Sequence, residues 1–501
     1  MRKNRRDNYL PTRPRLKISR YSVLTSLLLL AVAIEALSAV EWATYPYFPD
    51  KGLLFARTDA TIFSILAPFS PAFLIILLYT WVAKLAVSFD NKFSKRLKSY
   101  FDWLTQSLSY LRPRIPSDSV HRFALTDRPR LLLGLAVGMG VLLGLVPYRP
   151  QLNPAMTPVG VDAHYYIEWV NQMLQRSPEG AFSFAMGNAS FGSRPLLLLP
   201  IYLAVASGVI TTVRAVEFLP AVLGPLLALS TFLFVREGKQ SERMAGVASL
   251  FSVFGFNATV GMWAGSYANW LALAEAYLFL ALLVGFFRTA STSKYVILTV
   301  LSLSLLLTFP WIWTMVLTVA AIFVVSVWRD VRKTILVKPL LLLLAIGIVV
   351  DVSKSLLFGG LVAAQDVSSS LSGSNVSQSL GFWPNIASAL FAYFDGLLGN
   401  AILLGFSLVA MVYIGFRDKF ERLLTSWIVI VSLLLPLYGG GGQARFIYDL
   451  PFPILTTIGL LIVIRPLGNK TLHSNLALLL VLLLSANYAL RTATYLVAAP
   501  F

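Results

Sequence analysis

Apolar runs close to 20 residues long, separated by short polar breaks, recur along this chain from residue 21 to residue 493. A run of that length matches the roughly 20 residues an α-helix needs to cross a bilayer. Hydropathy places spans near 21–41, 62–86, 131–147, 217–235, 244–260, 270–287, 295–309, 311–328, 338–353, 397–416, 423–438, 450–464 and 475–493. The run 195–213 is apolar too, but its placement is left open by pattern alone. The pattern therefore predicts an all-α polytopic membrane protein with about 12 to 14 transmembrane helices. Two polar stretches interrupt it early, 87–130 and 148–194, and a third, 354–396, comes late.

Composition agrees with the pattern. The chain is 57% hydrophobic and 13% charged, against about 45–50% and about 25% in soluble proteins. It has no cysteine, which excludes disulfides, thiol catalysis and cysteine-based metal sites. The net charge of +18 would suggest nucleic acid in a soluble protein. Here lysine and arginine collect in loops, as the positive-inside rule requires, so no nucleic-acid partner is expected. Arg236, Lys239 and Arg243, Arg288 and Lys294, Arg329, Arg332 and Lys333, Arg417, Lys419 and Arg422, and Arg465 and Lys470 all read as cytoplasmic. They agree only if 195–213 does not cross fully and is instead a tilted or re-entrant helix on the outer side. The N-terminus is then cytoplasmic, the C-terminus outside, and the long polar loops converge on the outer face.

The chain divides into a two-span N-terminal unit with its basic linker, 1–130, and a main module, 131–501. In the linker, Phe93, Leu97, Phe101 and Leu104 recur at helical spacing among lysines. That is the pattern of an amphipathic helix on an anionic leaflet, with a solvated linker as the plainer alternative. Residues 1–130 are also a candidate surface for a protein partner.

Asp162 is the leading chemical candidate. It stands in Val159-Gly160-Val161-Asp162-Ala163-His164-Tyr165-Tyr166, just beyond a span and two residues before one of three histidines. An ionisable group at a bilayer boundary is costly to place and is a functional suspect by default. It could equally cap the amphipathic helix that Tyr166, Trp169, Val170, Met173 and Leu174 predict. His164 could orient the acid, bind phosphate, or simply sit in the interface. Arg194 precedes Pro195 at the head of an apolar helix, whereas Arg214 and Glu217 are spaced to pair with each other. The small aromatic turn Trp263-Ala264-Gly265-Ser266-Tyr267-Ala268-Asn269-Trp270 suits a sugar or lipid surface, or a tight interhelical turn. In Gly439-Gly440-Gly441-Gly442-Gln443-Ala444-Arg445 the glycines allow close backbone approach or a hinge, and Arg445 can present a planar cation to phosphate. Asn188, Asn257 and Asn375 match the N-x-[ST] acceptor pattern, which is common by chance.

The order of these motifs resembles the GT-C superfamily of polytopic glycosyltransferases over roughly 131–465. The resemblance rests on Gly160-Val161-Asp162-Ala163-His164-Tyr165-Tyr166, Arg194-Pro195-Leu196, Arg214 to Pro220, Thr308-Phe309-Pro310-Trp311-Ile312-Trp313, and Arg445-Phe446 with Pro451. The turn Ala264 to Asn269 is similar to that of oligosaccharyltransferase catalytic subunits. The resemblance implies an inverting transferase of the cell membrane, active at its outer face. Its donor would be a polyprenyl-phosphate-linked sugar with the tail among membrane lipid, and its acceptor a glycan, lipid or protein. Asp162 would be the catalytic base, with His164, Arg194, Tyr267, Asn269 and Arg445 binding substrate. Two departures matter: Ala268 stands where that turn usually carries an acid, and His164 where a second acid would partner Asp162. Asp162 and His164 are then what would hold a divalent metal, magnesium or manganese, if one is used. A flippase for lipid-linked sugars and an inactive membrane scaffold are the rival readings.

Overall fold

The computed structural model describes residues 20–47, 53–87, 127–327, 337–365, 400–415, 418–437, 440–465 and 471–495, with a few isolated positions besides. The described residues form helices joined by short turns, with no strand among them. Most of the basic linker 87–130, most of the late loop, and Asn375 lie outside the described residues.

The first three helices are α1 (Arg20–Thr44), α2 (Phe55–Leu66) and α3 (Ser70–Ala86). The main module begins with α4 (Pro129–Leu145). The long polar stretch then supplies α5 (Ala163–Leu174) and α6 (Pro178–Ser183), and the apolar α7 (Pro195–Ala206) and the short α8 (Thr212–Glu217) follow it. A tight core follows: α9 (Leu219–Lys239), α10 (Glu242–Phe254), α11 (Phe256–Ala264), α12 (Tyr267–Arg288), α13 (Thr292–Thr308) and α14 (Pro310–Ser326). The last helices are α15 (Val337–Phe358), α16 (Ala401–Tyr413), α17 (Lys419–Leu434), α18 (Gly440–Tyr448), α19 (Phe452–Ile464) and α20 (Thr471–Tyr495).

Among the described residues eight segments are long and apolar enough to cross a membrane, making this an integral membrane protein. Five further apolar helices among those residues have 10–17 residues; four occupy places that hydropathy counts as spans, and the fifth lies in the run 195–213. The difference from the expected 12 to 14 is one of length. Helices α13 and α14 have 17 residues each, about 26 Å at 1.5 Å per residue, because Pro310 breaks the run between them. Helix α7 has 12 residues, about 18 Å, well short of the ~30 Å hydrocarbon core.

The segment Glu242–Ala264 is the axis of the bundle, its apolar window buried throughout. Helices α4, α9, α19 and α20 pack around it, and α12 packs along α9. The N-terminal helices pack onto the main module: α1 lies along α20, and Lys84 of α3 donates to the Met411 and Ile414 carbonyls at 2.6 and 2.5 Å. Buried between the helices, Asn487 donates to the Glu35 carboxylate at 2.6 Å, joining α20 to α1.

Glycines set the closest crossing. A Cβ at Gly144 would fall 2.4 Å from the Ala221 nitrogen, and one at Gly140 2.9 Å from Pro225, so α4 touches α9 backbone to backbone. Gly134 and Gly138 have the same spacing on the same helix and face open space. Small residues four apart are a common means of close helix approach in membranes. Gly144→Leu is expected to lower the unfolding temperature in detergent, at a cost of about 1–3 kcal/mol from overpacking. Gly134→Leu is expected to leave it unchanged, and equal effects would show that the crossing does not depend on this pair.

One end of the bundle is a cluster of cations. Lys239 bonds Asp418 and Glu421 at 2.5 and 2.9 Å, Arg243 bonds Asp127 at 2.7 Å, and Arg288 and Arg422 donate to the Gly238 and Ser326 carbonyls at 2.9 and 3.0 Å. The other end carries the polar loop, the α11–α12 turn, the α13–α14 break and α18.

Candidate functional site

The site is built on a main-chain contact. Val161 and Asp162 donate their N–H groups to the carbonyls of Trp263 and Ala264 at 3.1 and 2.9 Å. Two glycines allow it. Gly265 is left-handed (φ 64) and closes α11, and Gly160 has φ 110. A Cβ at Gly160 would lie 2.8 Å from the Gly265 Cα, and one at Gly265 2.9 Å from the Ala163 nitrogen. Tyr267 secures the junction from behind: its hydroxyl donates to the Val159 carbonyl at 3.0 Å, and the Val159 N–H donates to the Tyr148 hydroxyl at 3.1 Å. Tyr267 is fully buried in that role and does not line the pocket.

Asp162 holds the N-cap position of α5, but in helical backbone (φ −91, ψ −2), and its side chain makes no capping bond. Elsewhere the chain caps conventionally: Ser177, Thr211 and Asp418 each accept from the N–H three residues on. Among the described residues the Asp162 carboxylate makes no hydrogen bond or ion pair. It opens instead into a small cleft shared with Tyr166, Arg194, Ser266, Asn269, Phe309 and Arg445. The enclosed space is only about 40 Å³, far below the ~300–1,000 Å³ of ligand pockets, so all but the smallest ligands must extend beyond it.

Two arginines flank one ring. The guanidinium carbons of Arg194 and Arg445 each lie 5.6 Å from the Phe309 centroid. Arg194 also lies 5.4 Å from the Trp169 ring, and Arg445 5.6 Å from the Trp311 ring. Such contacts are worth about 0.5–1 kcal/mol each when exposed and more when desolvated. Arg194 donates to the Tyr166 hydroxyl at 3.0 Å, and the Ala268 N–H donates to the same oxygen at 3.2 Å. With both lone pairs engaged, the Tyr166 O–H proton is left to donate to a ligand. Ala268 is buried and contributes its main chain alone to this network.

Behind Arg445 lies Asp449, one helical turn on and fully buried, with Asn269 and Trp311 as its other neighbours. Burial pushes its carboxyl well above the usual range, and the Arg445 charge pulls back against that shift. Burial and the charge of Asp449 likewise raise the Tyr448 hydroxyl. Asn257, which matched the glycosylation pattern, is buried in α11 and donates to the Tyr448 carbonyl at 2.5 Å, fixing the α18–α19 turn. The glycine run is not a loop where described: Gly440 to Gly442 form the first turn of α18, whose last turn carries Arg445. Glu275 lies below the pocket on α12, accepting from Ser304 and Thr308 of α13 at 2.6 and 3.2 Å.

Four of the six residues singled out in the sequence thus meet in one pocket: Asp162, Arg194, Asn269 and Arg445. His164 is exposed, its ring beside that of Tyr165 at 3.9 Å, and it does not line the pocket. Arg214 pairs with Glu217 at 2.8 Å, as their spacing suggested. Sequence reasoning missed Tyr166, Ser266, Phe309 and Asp449. Tyr166 and Asp449 lie four residues beyond Asp162 and Arg445, a spacing that puts each pair on one helix face.

The donors do not fit a divalent metal. Magnesium and manganese favour clustered oxygen ligands, especially carboxylates. Here a single pocket carboxylate faces two guanidinium groups, His164 is turned away, and among the described residues no three histidine, aspartate or glutamate side chains converge. The charge balance fits an anion instead.

No family model matches the chain, and no curated protein matches it. Tyr166→Phe tests the pocket's wall. It strips Arg194 of an acceptor and leaves the buried Ala268 N–H unpaired, costing about 1–3 kcal/mol. A lowered unfolding temperature is expected, together with weaker binding of a phosphate probe. Unchanged values of both would show that the hydroxyl organises nothing.

Proposed function

We propose that the protein is a membrane glycosyltransferase that moves a sugar from a polyprenyl-phosphate-linked donor to an acceptor hydroxyl or amide. The observation that carries this reading is an uncommitted carboxylate, Asp162, in one pocket with two arginines held against Phe309. A displacement at the anomeric carbon needs both groups: a base for the nucleophile and cations for the leaving phosphate.

In this reading Asp162 takes the acceptor's proton as the acceptor oxygen or nitrogen bonds to the sugar's anomeric carbon. The bond from that carbon to the phosphate oxygen breaks, and its electron pair leaves with the phosphate. A sugar phosphodiester carries one negative charge, and the departing monoester gains a second. Arg194, Arg445 and the Tyr166 hydroxyl therefore interact more strongly with the transition state than with the donor, which is what lowers a barrier. Attack opposite the leaving group inverts the anomeric centre, the outcome the GT-C resemblance implies. No metal step is needed.

The cation cluster at the opposite end of the bundle supports a cytoplasmic placement of that end, with the pocket on the outer face. A flippase would use the same arginines but has no task for a base, so the uncommitted state of Asp162 favours transfer.

Transfer of radiolabelled sugar by purified protein tests the reading. Asp162→Asn is expected to lose roughly 10²–10⁴-fold in rate while keeping donor binding. Full activity in a well-folded Asp162→Asn protein sinks the assignment of the base. EDTA is expected to leave the wild-type rate unchanged, and a chelator-sensitive rate restored by magnesium or manganese would overturn the metal-independent chemistry.

A further inference from the structure

Ser190, Phe191 and Gly192 form a run of left-handed backbone, with φ 48, 56 and 73. For residues with a side chain this conformation costs about 1–2 kcal/mol each, and it persists only where surrounding structure enforces it. The run ends two residues before Arg194. Ser193 braces it locally, its N–H and hydroxyl donating to the Ser190 carbonyl at 3.1 and 2.8 Å, and further bonds come from a distant element, the pocket-side end of α15 and the segment after it. Lys354 donates its ammonium to the Gly192 carbonyl at 2.8 Å, and the Leu361 N–H donates to the Phe191 carbonyl at 3.0 Å. Asp351 lies 3.7 Å from Lys354 and accepts the Ala363 N–H at 2.6 Å, tying the segment after α15 back to the helix. A Cβ at Gly360 would fall 2.9 Å from the Phe191 carbonyl, so the two segments meet backbone to backbone.

Lys354 and Asp351 are 1% and 8% exposed, on a helix otherwise apolar enough to cross the membrane. Burying two charges there is costly, and an ion pair seldom repays its own desolvation. Lys354 donates to the Gly192 carbonyl, two residues before Arg194, and Asp351 accepts from the segment that meets Phe191. We infer that Lys354 and Asp351 are positioning residues for the anion site: they hold the strained turn at 190–192 and so fix where Arg194 stands. Arg445 needs no such support, since it is borne by α18 and backed by Asp449. The inference rests on the transferase reading for the role of Arg194, but the state of the turn can be measured without it.

The test uses the full chain in detergent with two readouts. One is hydrogen–deuterium exchange of peptides covering 184–194, and the other is calorimetric binding of a short prenyl monophosphate. Lys354→Met is expected to speed exchange across the turn and to weaken binding between roughly tenfold and a hundredfold, the size of a misplaced contact group. Lys354→Arg, which keeps a charged donor, is expected to restore most of both. In an Arg194→Gln background Lys354→Met is expected to cost no further affinity, whereas a purely structural role predicts the same loss in both backgrounds. Unchanged exchange, or equal losses in the two backgrounds, overturns the inference. If Lys354→Met does not accumulate, Asp351→Asn is the second variant, with the same direction expected and a smaller size. Wild-type protein that binds no prenyl monophosphate overturns the transferase reading and the role given to Arg194, while the exchange rates still decide whether Lys354 holds the turn.

Discussion

The pocket depends on two main-chain hydrogen bonds, from Val161 and Asp162 to the turn that closes α11. That turn ends Glu242–Ala264, the most buried of the candidate spans among the described residues. A loop of nearly fifty residues between spans would ordinarily be among the most mobile parts of a chain. Pinning its middle to the bundle axis gives the acid the rigidity of the core. Gly160 and Gly265 are the condition for this, since a side chain on either would push the two backbones apart. The consequences run outward along α5: Tyr166 reaches the Ala268 N–H, and Arg194 reaches Tyr166.

Around that anchor the electrostatics are lopsided by construction. Two guanidinium groups lie against one phenylalanine ring, and besides Asp162 the acid beside them is Asp449, buried next to Arg445. Guanidinium tolerates such surroundings better than ammonium because it is planar, weakly hydrated and stacks on rings. The aromatic walls keep the cations apart and partly dry without neutralising them. An anion entering the cleft would meet charges that have already lost much of their hydration, a favourable arrangement for recognising phosphate.

The all-helical membrane architecture was legible because apolar runs of spanning length leave few alternatives. The number of long helices was less so, since hydropathy does not register that a proline such as Pro310 shortens a helix. Within the site, the two expected residues that fall outside the pocket, His164 and Tyr267, have a common geometry. Asp162 and His164, and likewise Tyr267 and Asn269, are two residues apart. Read as loop, each pair could serve one ligand, but in a helix such residues do not share a face. One of each pair lines the pocket, and the other is exposed (His164) or locked into the scaffold (Tyr267). The strained turn before Arg194 was beyond reach, because it is braced by Lys354, 162 residues from Gly192. Local sequence carries no record of a constraint applied from another helix.

Asp162 is held by its main chain alone, and its carboxylate has no part in the fold. Folding and reactivity are therefore separable at this position. Evolution could silence such a chain with one substitution and lose neither the bundle nor the cationic cleft. On the proposed transferase reading the product would be a decoy: a protein that still captures a phosphate ligand, withholds it from competitors and turns nothing over.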